Sequence, residues 1–183
     1  MAGSLIQVDE FSITSAVSSV IIGGGSSGSS SHNFAINTDD VYLLTYTDLY
    51  MTNDGNAVPY RFTVSGSPDT TSNYQQAVEG MYSNQAFSRG GNQNINYLSN
   101  YGLDTTSSES QQGLLWLYDF NESSSYSFAS HQMITATETP EYVGAMKVIL
   151  LSVAQATDGV QFYANANNIA SGNFALYKQV NTG

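Results

Sequence analysis

Short runs in which apolar and polar residues alternate recur along this chain, and they constrain its fold more than any other feature. Near the C-terminal end, Val160 and Phe162 alternate with Gln161 and Tyr163, and Phe174 and Leu176 alternate with Ala175 and Tyr177. A period of two marks a strand with one buried face. The linker Ala164 to Gly172 is rich in Asn and ends in Ser171-Gly172, residues that accept the positive φ of a chain reversal. Asp158 to Lys178 therefore reads as two strands, the last closing a sheet built by earlier ones.

The same pattern runs through the rest of the chain. Leu5, Ile6 and Val8, continued by Phe11 and Ile13, form a first strand, and Val17 to Ile22 a second. Gly23 to Ser31 is a Gly/Ser tract that reads as a flexible exposed loop. Val41 to Tyr46 and Tyr60 to Ser65 flank the reversal signal Asn53-Asp54-Gly55-Asn56 and read as an antiparallel hairpin, closed off by Gly66-Ser67-Pro68-Asp69. From Ser72 to Gly113 the alternation weakens, and Ala77, Val78 and Met81 fall at the spacing of a short helix over Asn73 to Met81. Gly113 to Phe120, which holds the only tryptophan, Trp116, reads as a central strand; Tyr126 to Thr135 and Gly144 to Val153 follow. About eight or nine antiparallel strands without long helices must pack sheet on sheet, so the expected fold is all-β, a β-sandwich or jelly roll forming one domain over residues 1–183.

Composition narrows the function classes. A chain of 183 residues can bury a sizeable core as one domain. Fifteen Asp plus Glu against four Lys plus Arg give a formal charge of -11, which repels polyanions and anionic membranes, so neither nucleic acid nor membrane is an expected partner. Charged residues make up only 10%, and Ser, Thr, Asn, Gln, Gly and Tyr take their place. The absence of cysteine removes disulfides, thiol nucleophiles and thiolate metal sites together. Met1 to Gln7 lacks the basic and apolar regions of a signal peptide, and the run Val143 to Ala154 is too short to span a bilayer.

Catalytic and metal-binding motifs are weak. Gly24-Gly25-Ser26-Ser27-Gly28 matches a nucleophile elbow formally, but it lies in a biased tract with no helix after it. His32 and His131 have no ligand-spaced partners and read as structural; Ser130, His131 and a carboxylate make a triad only if geometry unites them. Asp39, Asp40, Asp54 and Asp158 read as turn formers rather than Ca²⁺ ligands, and no metal or other cofactor is expected. Asn121-Glu122-Ser123 fits a glycosylation acceptor, and Asp104, Asp119 and Glu122 are the carboxylates a polysaccharide hydrolase would draw on. The tyrosines fit a core and a subunit interface, except Tyr82, Tyr97 and Tyr101. These stand beside Asn94, Asn96 and Asn100, and the cluster is the candidate contact for a glycan or partner.

The chain resembles small virion structural proteins of phages that infect marine and aquatic bacteria. The resemblance rests on Leu5-Ile6 with the Ser/Thr-rich Ser12 to Val20, Asp39-Asp40-Val41-Tyr42-Leu43-Leu44-Thr45-Tyr46, Tyr60 to Ser65 with Ser72-Asn73-Tyr74, Gly159 to Phe162, and Ile169 to Tyr177. It implies a non-enzymatic, jelly-roll-like homo-oligomer in the virion, on the capsid surface as a decoration or cement protein or in a tail appendage. Its partners would be other virion proteins, and no catalytic residues are carried over. The alternative is a carbohydrate- or receptor-binding head of a tail fibre that contacts a host-surface glycan through Tyr82, Tyr97, Tyr101, Asn96 and Asn100.

Overall fold

Strand residues of one parity are buried and those of the other face outward, and this alternation builds two facing sheets. The structure is a computed structural model that describes residues 4–24, 31–32, 36, 41–53, 56–84, 87–95, 98, 102–103, 110–136 and 142–180. In chain order the strands are β1 (Ser4–Ser12), β2 (Ser19–Gly23), β3 (Ser31–His32), β4 (Tyr42–Met51), β5 (Asn56–Ala57), β6 (Tyr60–Val64), β7 (Ser67–Pro68) and β8 (Tyr74–Tyr82). They continue as β9 (Phe87–Ile95), β10 (Gly102–Leu103), β11 (Gln111–Tyr118), β12 (Ser127–Ala136), β13 (Tyr142–Leu151), β14 (Thr157–Tyr163) and β15 (Ile169–Val180). The described residues hold no helix.

Eight strands form one antiparallel sheet in the order β1-β15-β4-β11-β12-β13-β8-β9, and five form a second in the order β3-β2-β14-β6-β7; β10 and β5 pair separately. The expected all-β sandwich is what the chain forms. One apolar core lies between the sheets. Tyr46, Leu44, Leu115 and Phe174 of the large sheet meet Tyr60, Phe62, Val160 and Phe162 of the small one, all of them buried. Edge-on aromatic contacts lock the layers, with Tyr46 on Phe162 at 5.5 Å and Phe62 on Phe120 at 4.9 Å between ring centres.

Several local expectations are corrected. β4 and β6 are not a hairpin, since β4 pairs β11 and β15 in the large sheet while β6 pairs β14 and β7 in the small one. The last two strands also split, β14 to the small sheet and β15 to the large, and β15 begins at Ile169, inside the stretch read as linker. Alternation reveals that a strand has a buried face but not which sheet supplies it. The helix expected over Asn73 to Met81 is strand β8: Tyr74, Gln76 and Gly80 are buried while Ala77, Glu79 and Met81 are exposed, a period of two. β8 pairs β9, so much of the segment read as irregular is a hairpin on the edge of the large sheet. These two strands and four two-residue strands account for the excess over the expected count.

The Gly/Ser tract is not wholly an exposed loop. Gly23 and Gly24 are buried at φ 85 and 91, and the Gly24 amide donates to the Asp158 carbonyl at 2.7 Å. A Cβ on the facing Gly159 would lie 2.6 Å from the Ile22 carbonyl oxygen, so two glycine stretches let β2 and β14 meet backbone to backbone. Residues 25–30 lie outside the described residues.

Candidate functional site

Of the residues singled out from sequence, those that are described lie at separate places in the fold. Tyr82 is half-buried at the end of β8, its hydroxyl 3.5 Å from the Ser88 hydroxyl. Tyr97, Tyr101, Asn96 and Asn100 lie outside the described residues, as do Asp39, Asp40, Asp54, Asp104 and the His32 side chain. Asp119 (φ 55) and Asn121 (φ 60) shape the turn after β11. The Asn121 amide nitrogen donates to the Ile36 carbonyl at 2.9 Å, which ties the glycosylation candidate into the fold. Glu122 accepts from the Ser124 amide and hydroxyl, and these two bonds hold its exposed carboxyl below its ordinary range. Asp158 clamps the β6–β7 turn, accepting from the Thr63 hydroxyl at 2.6 Å and the Gly66 amide at 2.8 Å. Among the described residues no three His, Asp or Glu side chains gather as a metal site.

His131 is fully buried on the inner face of β12, whereas Ser130 points to the outer face, so the two cannot share a triad. The ring is instead the centre of a directional hydrogen-bond chain. Tyr46 donates its only hydroxyl proton to Gln111 Oε1 at 3.0 Å, so His131 Nε2, 2.8 Å away, must be the donor to Tyr46. His131 Nδ1 then accepts from the Tyr60 hydroxyl at 2.9 Å. The chain runs Tyr60 to His131 to Tyr46 to Gln111 and crosses from the small sheet to the large one. It requires a neutral imidazole. Burial, and secondly Lys147 beside it, hold the His131 pKa well below its ordinary value. Burial likewise raises both tyrosines, and lowers Lys147 to about 8. This cluster has the chemistry of an interlock between sheets.

The feature open to other molecules is the outer face of the large sheet. Register places Trp116, Ser130, Val148 and Ala77 in one row across β11, β12, β13 and β8. Tyr118, Phe128, Leu150 and Gln75 form the next row on one side. On the other side lie Leu114, Gln132, Met146, Glu79 and Arg89, then Gln112, Ile134, Gly144, Met81 and Phe87. Phe87 is 71% exposed and Val148 58%, with Phe128, Ile134, Met146 and Met81 also exposed. No described element covers this face.

Between β13, β8 and β9 the face dips into an open groove of about 580 Å³. Phe128, Val148, Leu150 and Ala77 make its apolar floor, and Gln75, Asn92 and Gln93 put amides on its wall. The charged side chains on the five strands β11, β12, β13, β8 and β9 of this face are Glu79 and Arg89, which pair at 3.3 Å.

The sequence held a signal for this surface. Gly113 to Phe120 and Gly144 to Val153 are apolar at both parities, Leu114 and Trp116 as well as Leu115 and Leu117, Met146 and Val148 as well as Ala145 and Ile149. A strand covered on one face alone alternates with polar residues, while one covered on both reads as continuously apolar. The sandwich supplies cover for one face only. Comparison of the chain with protein-family models, with curated proteins and with solved structures finds no match.

Proposed function

We propose that this chain is a non-enzymatic structural protein of a phage virion, an oligomer that decorates or cements the capsid surface or forms part of a tail appendage. The observation that carries this reading is the outer face of the eight-stranded sheet, where exposed apolar side chains spread over five adjacent strands. Contiguous apolar surface of this kind marks an interaction site rather than a solvated face. The surrounding surface, poor in charge and rich in hydroxyl and amide groups, suits packing among many neighbours. A rigid sandwich interlocked by the His131 chain supplies the scaffold, and its chemistry is complementarity of shape.

The test is sedimentation of purified protein with phage particles stripped of it. Saturable rebinding is expected; a protein that stays in the supernatant and is missing from intact particles overturns the proposal. A second reading, a head that binds a host-surface glycan, is favoured by the groove, where an aromatic floor at Phe128 adjoins the amides of Gln75, Asn92 and Gln93. A glycan array separates the two, since specific binding of one neutral saccharide supports the head and silence removes it.

A further inference from the structure

We infer that the outer face of the eight-stranded sheet docks a second copy of this chain, face to face, with Phe87 of each copy entering the groove of the other. The inference rests on the reading of the chain as an assembling structural protein and names the occupant of its exposed face. Three observations select that occupant.

The first is area. Five strands, β11, β12, β13, β8 and β9, about 4.8 Å apart and each about 30 Å long, present roughly 700 Å² in projection, close to the area one partner contributes to an interface of standard size. The second is charge. The chain as a whole carries -11, yet across β11, β12, β13, β8 and β9 the face bears only the neutralised pair Glu79–Arg89. A basic or acidic partner finds no complementary field there, whereas a second copy brings an equally neutral, apolar surface to it, and the acidic remainder stays in solvent.

The third is shape. Phe87 stands at one end of β9, and Gly91, at the groove, lies four residues along the same strand, about 13 Å away. A two-fold axis lying in the interface and crossing β9 between them, at Arg89, carries each Phe87 over the other copy's Gly91 and Ala77. Gly91 adds no side chain there, so the ring has room. The axis follows the Glu79–Arg89 row and sets each Arg89 beside its counterpart, with the Glu79 carboxylate 3.3 Å from each guanidinium offsetting its charge. A ring offered to a groove lined by Phe128, Val148 and Leu150 is an isologous contact, made twice by one surface.

The test measures solution mass by light scattering over a wide range of concentration for the full chain, for Val148→Lys, for Phe87→Ser and for Leu5→Lys. Leu5 is exposed on β1, at the far edge of the sheet. The expected result is a dimer whose dissociation constant rises about tenfold or more in Val148→Lys and Phe87→Ser, and stays unchanged in Leu5→Lys. Melting curves like that of the parent chain establish that the variants fold, and deuterium exchange of β13 and β9 that slows with concentration is the second readout. An oligomer unaffected by the Val148 and Phe87 changes, or dissociated by Leu5→Lys, overturns the inference and leaves the virion role standing on another face. A monomer at every concentration overturns it as well, and the rebinding experiment then decides the virion role separately.

Discussion

Lys147 sits on the inner face of β13, 3% exposed, opposite His131 on one side and Val78 on the other. Burial lowers its pKa from 10.5 to about 8. The sign of the consequence follows from linkage. Below pH 8 the amine is charged in both folded and unfolded chains, so the full cost of burying the charge is present. Between pH 8 and 10.5 the folded chain releases the proton while the unfolded chain keeps it, and stability rises. A displacement of this size is worth about 3 kcal/mol in all.

The upper part of that window is contested by the buried tyrosines. Tyr46, Tyr60 and Tyr74 are all raised above 10 by burial, so above about pH 10 the unfolded chain ionises first and stability falls. The clean interval is pH 7 to 9.5, over which the Lys147 contribution amounts to about 2 kcal/mol. Replacing Lys147 with Met keeps the length of the stem and removes the charge. Urea unfolding of the parent chain should therefore show stability rising by about 2 kcal/mol from pH 7 to 9.5, while Lys147→Met should be more stable at pH 7 and flat across the interval. A Lys147→Met protein that keeps the rise, or is less stable than the parent at pH 7, refutes the reasoning.

The acid side belongs to His131: its lowered pKa means the unfolded chain takes up a proton first, so stability falls by about 1.4 kcal/mol per unit below pH 6.5, and His131→Gln should reduce that slope in acid titrations followed by circular dichroism. Tyr60→Phe leaves His131 Nδ1 without its donor and should cost about 1–3 kcal/mol in urea unfolding, with no change in solution mass. Gly159→Ala forces a Cβ against the Ile22 carbonyl and the Gly24 amide, and a loss of about 2–3 kcal/mol is expected by thermal unfolding. Ser65, at φ 52 in the turn clamped by Asp158, should gain up to about 1 kcal/mol on replacement by Gly, because glycine holds that conformation without strain.

Much of the fold was legible because alternation is a local property. Val160, Phe162, Phe174 and Leu176 are buried as their spacing requires, and β11 does run in the middle of the large sheet. β8 was misread because Ala77, Val78 and Met81 form an apolar set at helical spacing, while the residues that fill its inner face are Tyr74, Gln76 and Gly80, two of them without apolar side chains. The candidate surface was half legible. Its residues stood in runs apolar at both parities, but the pattern alone does not distinguish a strand buried twice from one buried once and exposed once.

What the sequence by itself determined is the class of structure: an all-β chain with strands near these positions, a weakly charged acidic surface, and no cysteine chemistry. These follow from residue type and short-range spacing, which need no knowledge of distant neighbours. Tertiary structure alone decided which strands share a sheet, because β4 and β6, or β14 and β15, carry the same period of two whichever sheet receives them. It also decided that His131 is buried between Tyr46 and Tyr60 and links the two sheets, since those contacts join residues 71 and 85 positions apart. And it turned the second apolar parity of β11 and β13 outward, because the small sheet can cover only one side of the large one.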